Sequence, residues 1–177
     1  TIVDDDGAVE WLVEDGAQLE QSAAPDSGVR LTVMRTGTET NLTATHTIAY
    51  TTAAATGHST TVATSGTDFT AASGKLTFAS TTVNEGATLS AADTTITLAN
   101  VTNFAEGGGV VTIENEDISY SAVNTVGGAK ELTGVVRGIN GTTAAEHADG
   151  TAANETGVYV DVVTIGDAES EIAENFA

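Results

Sequence analysis

The sequence predicts an all-β protein with many loops, and three observations carry that prediction. Thr and Val, which fill pleated strands, recur throughout, while 19 Gly against a single Pro supply turns. Short apolar–polar alternations recur between small polar stretches, as in half-buried strands. Hydrophobic residues make up 40% but aromatics only 5%, so the core rests on Val, Ile, Leu and Ala. The 177 residues suffice for one large domain or two small ones.

Taken in order, TIVDDD (Thr1 to Asp6) is a short β-like run ending in three acids. VEWLV is a candidate short strand, and Pro25 to Gly28 is a strong turn signal. VRLTVMRTG reads as a strand ended by Gly37, with Val29, Leu31, Val33 and Arg35 on one face and Arg30, Thr32 and Met34 on the other. NLTATHTIAYTT reads as a second strand, followed by a long Ala/Thr/Gly/Ser connection from Ala53 to Gly66. GKLTFAS is the next, with Leu76 and Phe78 alternating against Lys75 and Thr77. TTITL, GVVTIEN, DISYSAV and ELTGVVRG are further β-runs, and Asn124 to Ala129 is a Gly-rich hairpin tip. ETGVYVDVVTIG is a strand; the acidic DAESEIAENFA after it fits a helical turn or a loop.

The charge is lopsided, 5 Lys+Arg against 25 Asp+Glu, a net −20. Such a surface repels phosphate backbones and anionic membranes, which argues against nucleic-acid partners. It attracts cations, and loop carboxylates are the usual oxygen ligands of Ca²⁺. With no Cys, disulfides and thiolate chemistry are excluded. No run is long and apolar enough for a membrane-spanning helix. The chain reads as a segment of a longer polypeptide.

Two pieces of the chain resemble a Calx-beta domain, the sandwich module of sodium–calcium exchangers, integrin β4 and many large surface proteins. GTDF followed by GKLTF, and the closing E-x-x-E-N-F, carry the resemblance. It implies an antiparallel Ig-like β-sandwich of about seven strands. It assigns residues 8–87 and 152–177 to that sandwich, with the last strand missing, and residues 1–7 to a preceding repeat or linker strand. In calcium-binding members, loop carboxylates converge at one end of the sandwich. The resemblance therefore implies Glu20, Asp68, Asp167, Glu171 and Glu174 as Ca²⁺ ligands, with Asp4, Asp5 and Asp6 as a second tier. Gly166 stands where binding members carry an acid. The missing strand would leave a sheet edge that either the longer chain or a neighbouring copy completes, and TIVDD is a candidate for a strand donated by a copy.

Residues 88–151 have no place in an ordinary Calx-beta domain. TTITLANVTNF, GGGVVTIENEDISY and ELTGVVRGINGTTAAEHADGT resemble a small β-module of bacteriophage structural proteins. Glu116, Ile118 and Tyr120, then Arg137, Gly138 and His147, carry the match. The implied architecture is a β-rich subdomain inserted into the sandwich, at little loop-closure cost where its ends meet. Arg137 is expected to pair with Glu116 or Glu114, or to lie exposed. His147, flanked by Glu146 and Asp149, fits a capping or surface role better than zinc.

No enzyme is expected. His46, His58 and His147 sit in no H-E-x-x-H, and neither a G-x-S-x-G elbow nor a P-loop occurs. The sequence therefore points to a non-enzymatic structural module of a large multidomain virion-surface or extracellular protein, of fibre, tail or decoration type, rigidified by Ca²⁺. Its partners would be neighbouring repeats or copies in an assembly. The alternative is a bacterial cell-surface adhesin module that binds a host protein or glycan.

Overall fold

A computed structural model describes residues 10–14, 17–18, 28–36, 42–53, 65–66, 69–165 and 174–175. The described chain is all-β, with antiparallel pairing between its named strands. The strands are β1 (Glu10–Glu14), β2 (Ala17–Gln18), β3 (Gly28–Thr36), β4 (His46–Thr51), β5 (Ser73–Phe78), β6 (Ser80–Thr82) and β7 (Thr95–Thr97). They continue with β8 (Gly109–Ile113), β9 (Glu116–Tyr120), β10 (Ala122–Asn124), β11 (Glu131–Thr133), β12 (Val136–Ile139), β13 (Ala152–Val163) and β14 (Glu174–Asn175). One sheet has the order β1-β3-β13-β8-β9-β12, with β6 also paired to β13. A three-stranded sheet has the order β10-β11-β7, and β14-β2 and β4-β5 form two-stranded pairs.

The chain divides into two compact units. One comprises Thr1–Leu12, Met34–Thr47 and Thr77–Tyr159; the other comprises Val13–Val33, Ile48–Leu76 and Val160–Ala177. In the second unit, Phe69 is fully buried and bridges to Thr164, with Thr70 N–H donating to the Val163 carbonyl. Thr52 and Ala72 clamp each other: each backbone N–H reaches its partner residue, that of Thr52 the Ala72 carbonyl and that of Ala72 the Thr52 hydroxyl. Arg30 makes a two-pronged, exposed ion pair with Asp161 at 2.7 and 2.9 Å, a geometry worth little in water.

The first unit has a continuous apolar core. Val111 and Ile113 of β8, Ile118 and Tyr120 of β9, and Ala153 of β13 meet Ile96, Leu98 and Leu132 from the three-stranded sheet and its margin. The cluster reaches beyond 88–151 to include Ala79, Val83 and Ala153. The register Val111↔Ile118 places both inward, and the period-2 pleat repeats the choice at Ile113 and Tyr120. Residues 126–128 form a 3₁₀ turn joining β10 to β11, as the Gly-rich tip predicts.

Along β3 the predicted faces hold: Val29, Leu31, Val33 and Arg35 are buried, and Arg30 is exposed. Leu76 and Phe78 are likewise the buried members of β5. Several predicted strands are shorter or broken, each for a local reason. NLTATHTIAYTT yields β4 only from His46, because the Leu42 and Ala44 carbonyls turn to the Arg35 guanidinium. GKLTFAS breaks at Ala79, whose N–H donates to Glu155 Oε2. ELTGVVRG splits into β11 and β12 at Gly134, which takes φ 63° and whose missing Cβ would lie 2.0 Å from Ser121 Oγ. DISYSAV bends opposite, at Ser121, whose N–H donates to the Thr133 carbonyl. The acidic tail forms neither a helical turn nor a simple loop at Glu174–Asn175, which pairs with Ala17–Gln18.

Backbones approach closely where β8 meets β13. A Cβ on Gly109 would lie 2.4 Å from the Gly157 carbonyl, an atom that cannot swing aside. Gly109→Ala should therefore destabilise the chain by roughly 1–3 kcal/mol through overpacking. Gly107→Ala, which meets nothing within 4 Å, should change stability by less than about 0.5 kcal/mol. Urea unfolding of the two variants beside the parent checks the contrast.

Candidate functional site

The first unit buries two polar clusters, and these hold the described chain's strongest electrostatics. The first centres on Glu116. Strand β9 alternates Glu116, Ile118 and Tyr120 inward, so the pleat drives a carboxylate toward the core with 1% exposure. An uncompensated charge there would cost several kcal/mol. Compensation comes from β12 and from the 141–150 segment. Arg137 grips both oxygens, Nε to Oε1 and Nη2 to Oε2, each at 2.7 Å. The backbone N–H groups of Gly138 and Ala145 donate at 3.0 Å each, and His147 Nε2 lies 2.8 Å from Oε2. Burial pushes the Glu116 carboxyl up, but Arg137, the Ala145 N–H and His147 outweigh it and hold the group down at about 2.

The remaining valences are also occupied. Arg137 donates from Nη1 to the Ser90 carbonyl and from Nη2 to that of Ala145. His147 Nδ1 lies 2.8 Å from Glu114 Oε2. The His147 backbone exchanges two bonds with Leu89. His147 is thus 1% exposed, not the surface residue its acidic flanks suggest. Of the partners considered for Arg137, the structure selects Glu116.

The second cluster joins Arg35, Glu155 and Tyr120. Arg35, 1% exposed, donates Nε to the Glu155 carbonyl, Nη1 to Ala44 O, and Nη2 to Leu42 O and Ala79 O. Its guanidinium carbon lies 5.7 Å from the centre of the Phe78 ring, a cation–π distance. Burial lowers the guanidinium to about 10, partly opposed by the Glu155 charge. The Glu155 carboxylate accepts from Ala79 N–H, from Ala105 N–H and from the Tyr120 hydroxyl. Burial raises Glu155 against these donors, and burial with the Glu155 charge raises the Tyr120 phenol.

Chemically, these clusters are closed. A carboxylate offers about four lone-pair positions, and Glu116 already accepts five donors. Glu155 is fully buried, with three donors on its two oxygens. Neither presents a free base or nucleophile to a substrate.

The implied calcium ligands are placed only in part. Glu174 lies on β14 opposite Gln18. Glu20, Asp68, Asp167 and Glu171, and the second-tier Asp4, Asp5 and Asp6, lie outside the described residues. Among the described residues, no three His, Asp or Glu side chains gather as a metal ion's ligands. Sequence reasoning missed Arg35 and Glu155 as a cluster, although the inward face of β3 already ended on Arg35. No protein-family model, curated protein or solved structure matches this chain.

The depressed Glu116 carboxyl sets a pH dependence. Its folded value, about 2, lies below the ordinary glutamate value of 4.5, so its contribution is complete above pH 4.5 and fades as pH falls toward 2. Glu116→Gln leaves Arg137 and His147 against a neutral amide and should cost roughly 3–5 kcal/mol at neutral pH. The gap between parent and variant in urea unfolding should narrow by about 3 kcal/mol between pH 5 and pH 2.

Proposed function

We propose that this chain is a non-enzymatic structural module of a large multidomain protein on a virion surface or cell exterior. The observation that carries this reading is the saturation of its buried ionisable groups. Glu116, Arg137, His147, Arg35 and Glu155 are turned inward and tie segments of chain together. Such an arrangement fixes a shape, and among the described residues these five groups are committed to it. The resemblance of 88–151 to bacteriophage structural modules supports a virion setting, because Glu116, Arg137 and His147, which carry that resemblance, are the residues of the network. The resemblance of the flanking pieces to a Calx-beta sandwich supports a repeat-like, assembly-facing role, and the net charge of −20 suits an exterior that attracts cations.

In this reading the inserted subdomain decorates a sandwich that connects to neighbouring repeats or copies. Ca²⁺ would stiffen the sandwich through Glu20, Asp68, Asp167, Glu171 and Glu174, with Asp4, Asp5 and Asp6 adding charge at a joint between repeats. These are oxygen donors suited to that ion.

Gold-labelled antibodies raised against the chain should decorate the outside of virus particles in electron micrographs. Labelling confined to bacterial cell walls would favour the adhesin reading instead. Calcium is tested separately by calorimetric titration of the chain. Binding heat should appear in the parent and be lost in Asp68→Ala, and its absence from the parent would remove the metal from the proposal.

A further inference from the structure

His147 is held between two carboxylates, and that placement has a use beyond stability. Nε2 faces buried Glu116 and Nδ1 faces Glu114, both at 2.8 Å. Carboxylates only accept, so satisfying both contacts takes a ring that donates from both nitrogens, the imidazolium.

The two carboxylates are not equivalent. Glu116 is 1% exposed and held by four other donors, whereas the Glu114 side chain is 55% exposed. When the ring gives up one proton, the remaining one stays on Nε2, because a lone pair there would face a buried carboxylate. Nδ1 then presents a lone pair to the Glu114 carboxylate, and Glu114 has solvent to turn to. Other charged groups near the ring leave this order intact. Arg137, from β12, is bound to the same Glu116. Glu146 and Asp149 flank His147 on its own segment, and Asp149 bonds the Gly86 N–H. Beside Leu89, which contributes backbone bonds, the Asp93 carboxylate is taken up by the Ser90 N–H.

We infer that Glu114, His147 and Glu116 form a proton-operated clasp between the β8–β9 turn and the 141–150 segment. It is closed while His147 is an imidazolium and opens on the Glu114 side when the ring becomes neutral. The segment it governs runs between β12 and β13; its middle is held otherwise by Glu116, Arg137 and Leu89, and its ends by Thr142 with the Asp117 N–H, Asp149 with the Gly86 N–H, and Gly150 with the Val83 carbonyl. Opening therefore loosens that segment and returns a carboxylate to solvent, leaving the apolar core in place.

Glu114→Gln separates the clasp from ordinary packing. Its amide can accept from the charged ring or donate to Nδ1 of the neutral ring, so the contact survives in both states. The test is NMR of the whole chain from acid to alkaline pH, following the His147 ring ¹⁵N shifts and amide hydrogen exchange at residues 144–148. In the parent, protection should fall roughly tenfold, beyond the intrinsic pH effect, as the ring loses its second proton, the scale of one charge-assisted hydrogen bond. In Glu114→Gln the fall should be less than about twofold. The clasp is overturned by a ring with one N–H at every pH, or by one that keeps both wherever the chain is folded. It is equally overturned by protection that ignores the ring proton, or by the same fall in both proteins.

Discussion

The Glu116–Arg137 pair is the constraint around which the core of the first unit is arranged. Strand β9 must place alternate residues inward to contribute Ile118 and Tyr120 to the core, and the same pleat puts Glu116 there. A carboxylate in that position is tolerable only when every lone pair is met. That requirement dictates where β12 lies, because Arg137 must reach both oxygens, and how 141–150 returns, because Ala145 and His147 supply the remaining donors. The bidentate fork also explains why arginine stands there, since a lysine cannot span both oxygens in one plane.

The Arg35 cluster solves a different problem. Where Glu116 collects donors, Arg35 collects carbonyls, gathering Leu42, Ala44, Ala79 and Glu155 around one guanidinium. These carbonyls lie where the ladders stop, after β3, before β4, between β5 and β6, and at the irregular step in β13. A buried carbonyl left without a partner is costly. One cation thus allows three interruptions in the sheet pattern within the same neighbourhood.

Much of this was legible in the residues, and the gaps have causes. The period-2 alternation marked the inward faces of β3 and β5 correctly, since burial follows the pleat directly. E-x-I-x-Y and V-x-R-G with a later His marked the residues of the Glu116 network, and Glu116 was a named partner for Arg137. That His147 would join them was hidden: its acidic neighbours suggest solvent, and only the fold turns the ring inward while they stay outside. The strand breaks at Ala79, Ser121 and Gly134 were illegible, because each is set by a partner distant in sequence or by a close approach that propensity does not register. Glu155 gave no signal, since an acid in a Thr- and Val-rich run reads as solvent-facing until Ala79, Ala105 and Tyr120 are seen around it.

The separations of these contacts imply an order of assembly. The β8–β9 ladder joins residues as near as Ile113 and Glu116, and β10–β11 joins Asn124 to Glu131, so both can close early and cheaply. The Arg35–Glu155 contact spans 120 positions, the kind of distant pairing that slows a nascent β protein. With the local hairpins formed, Ala79 and Glu155 meet where the ends of residues 88–151 come together. The remaining chain then closes across a short effective gap. The strands on either side of residues 88–151, β6 and β13, are thereby ladder partners.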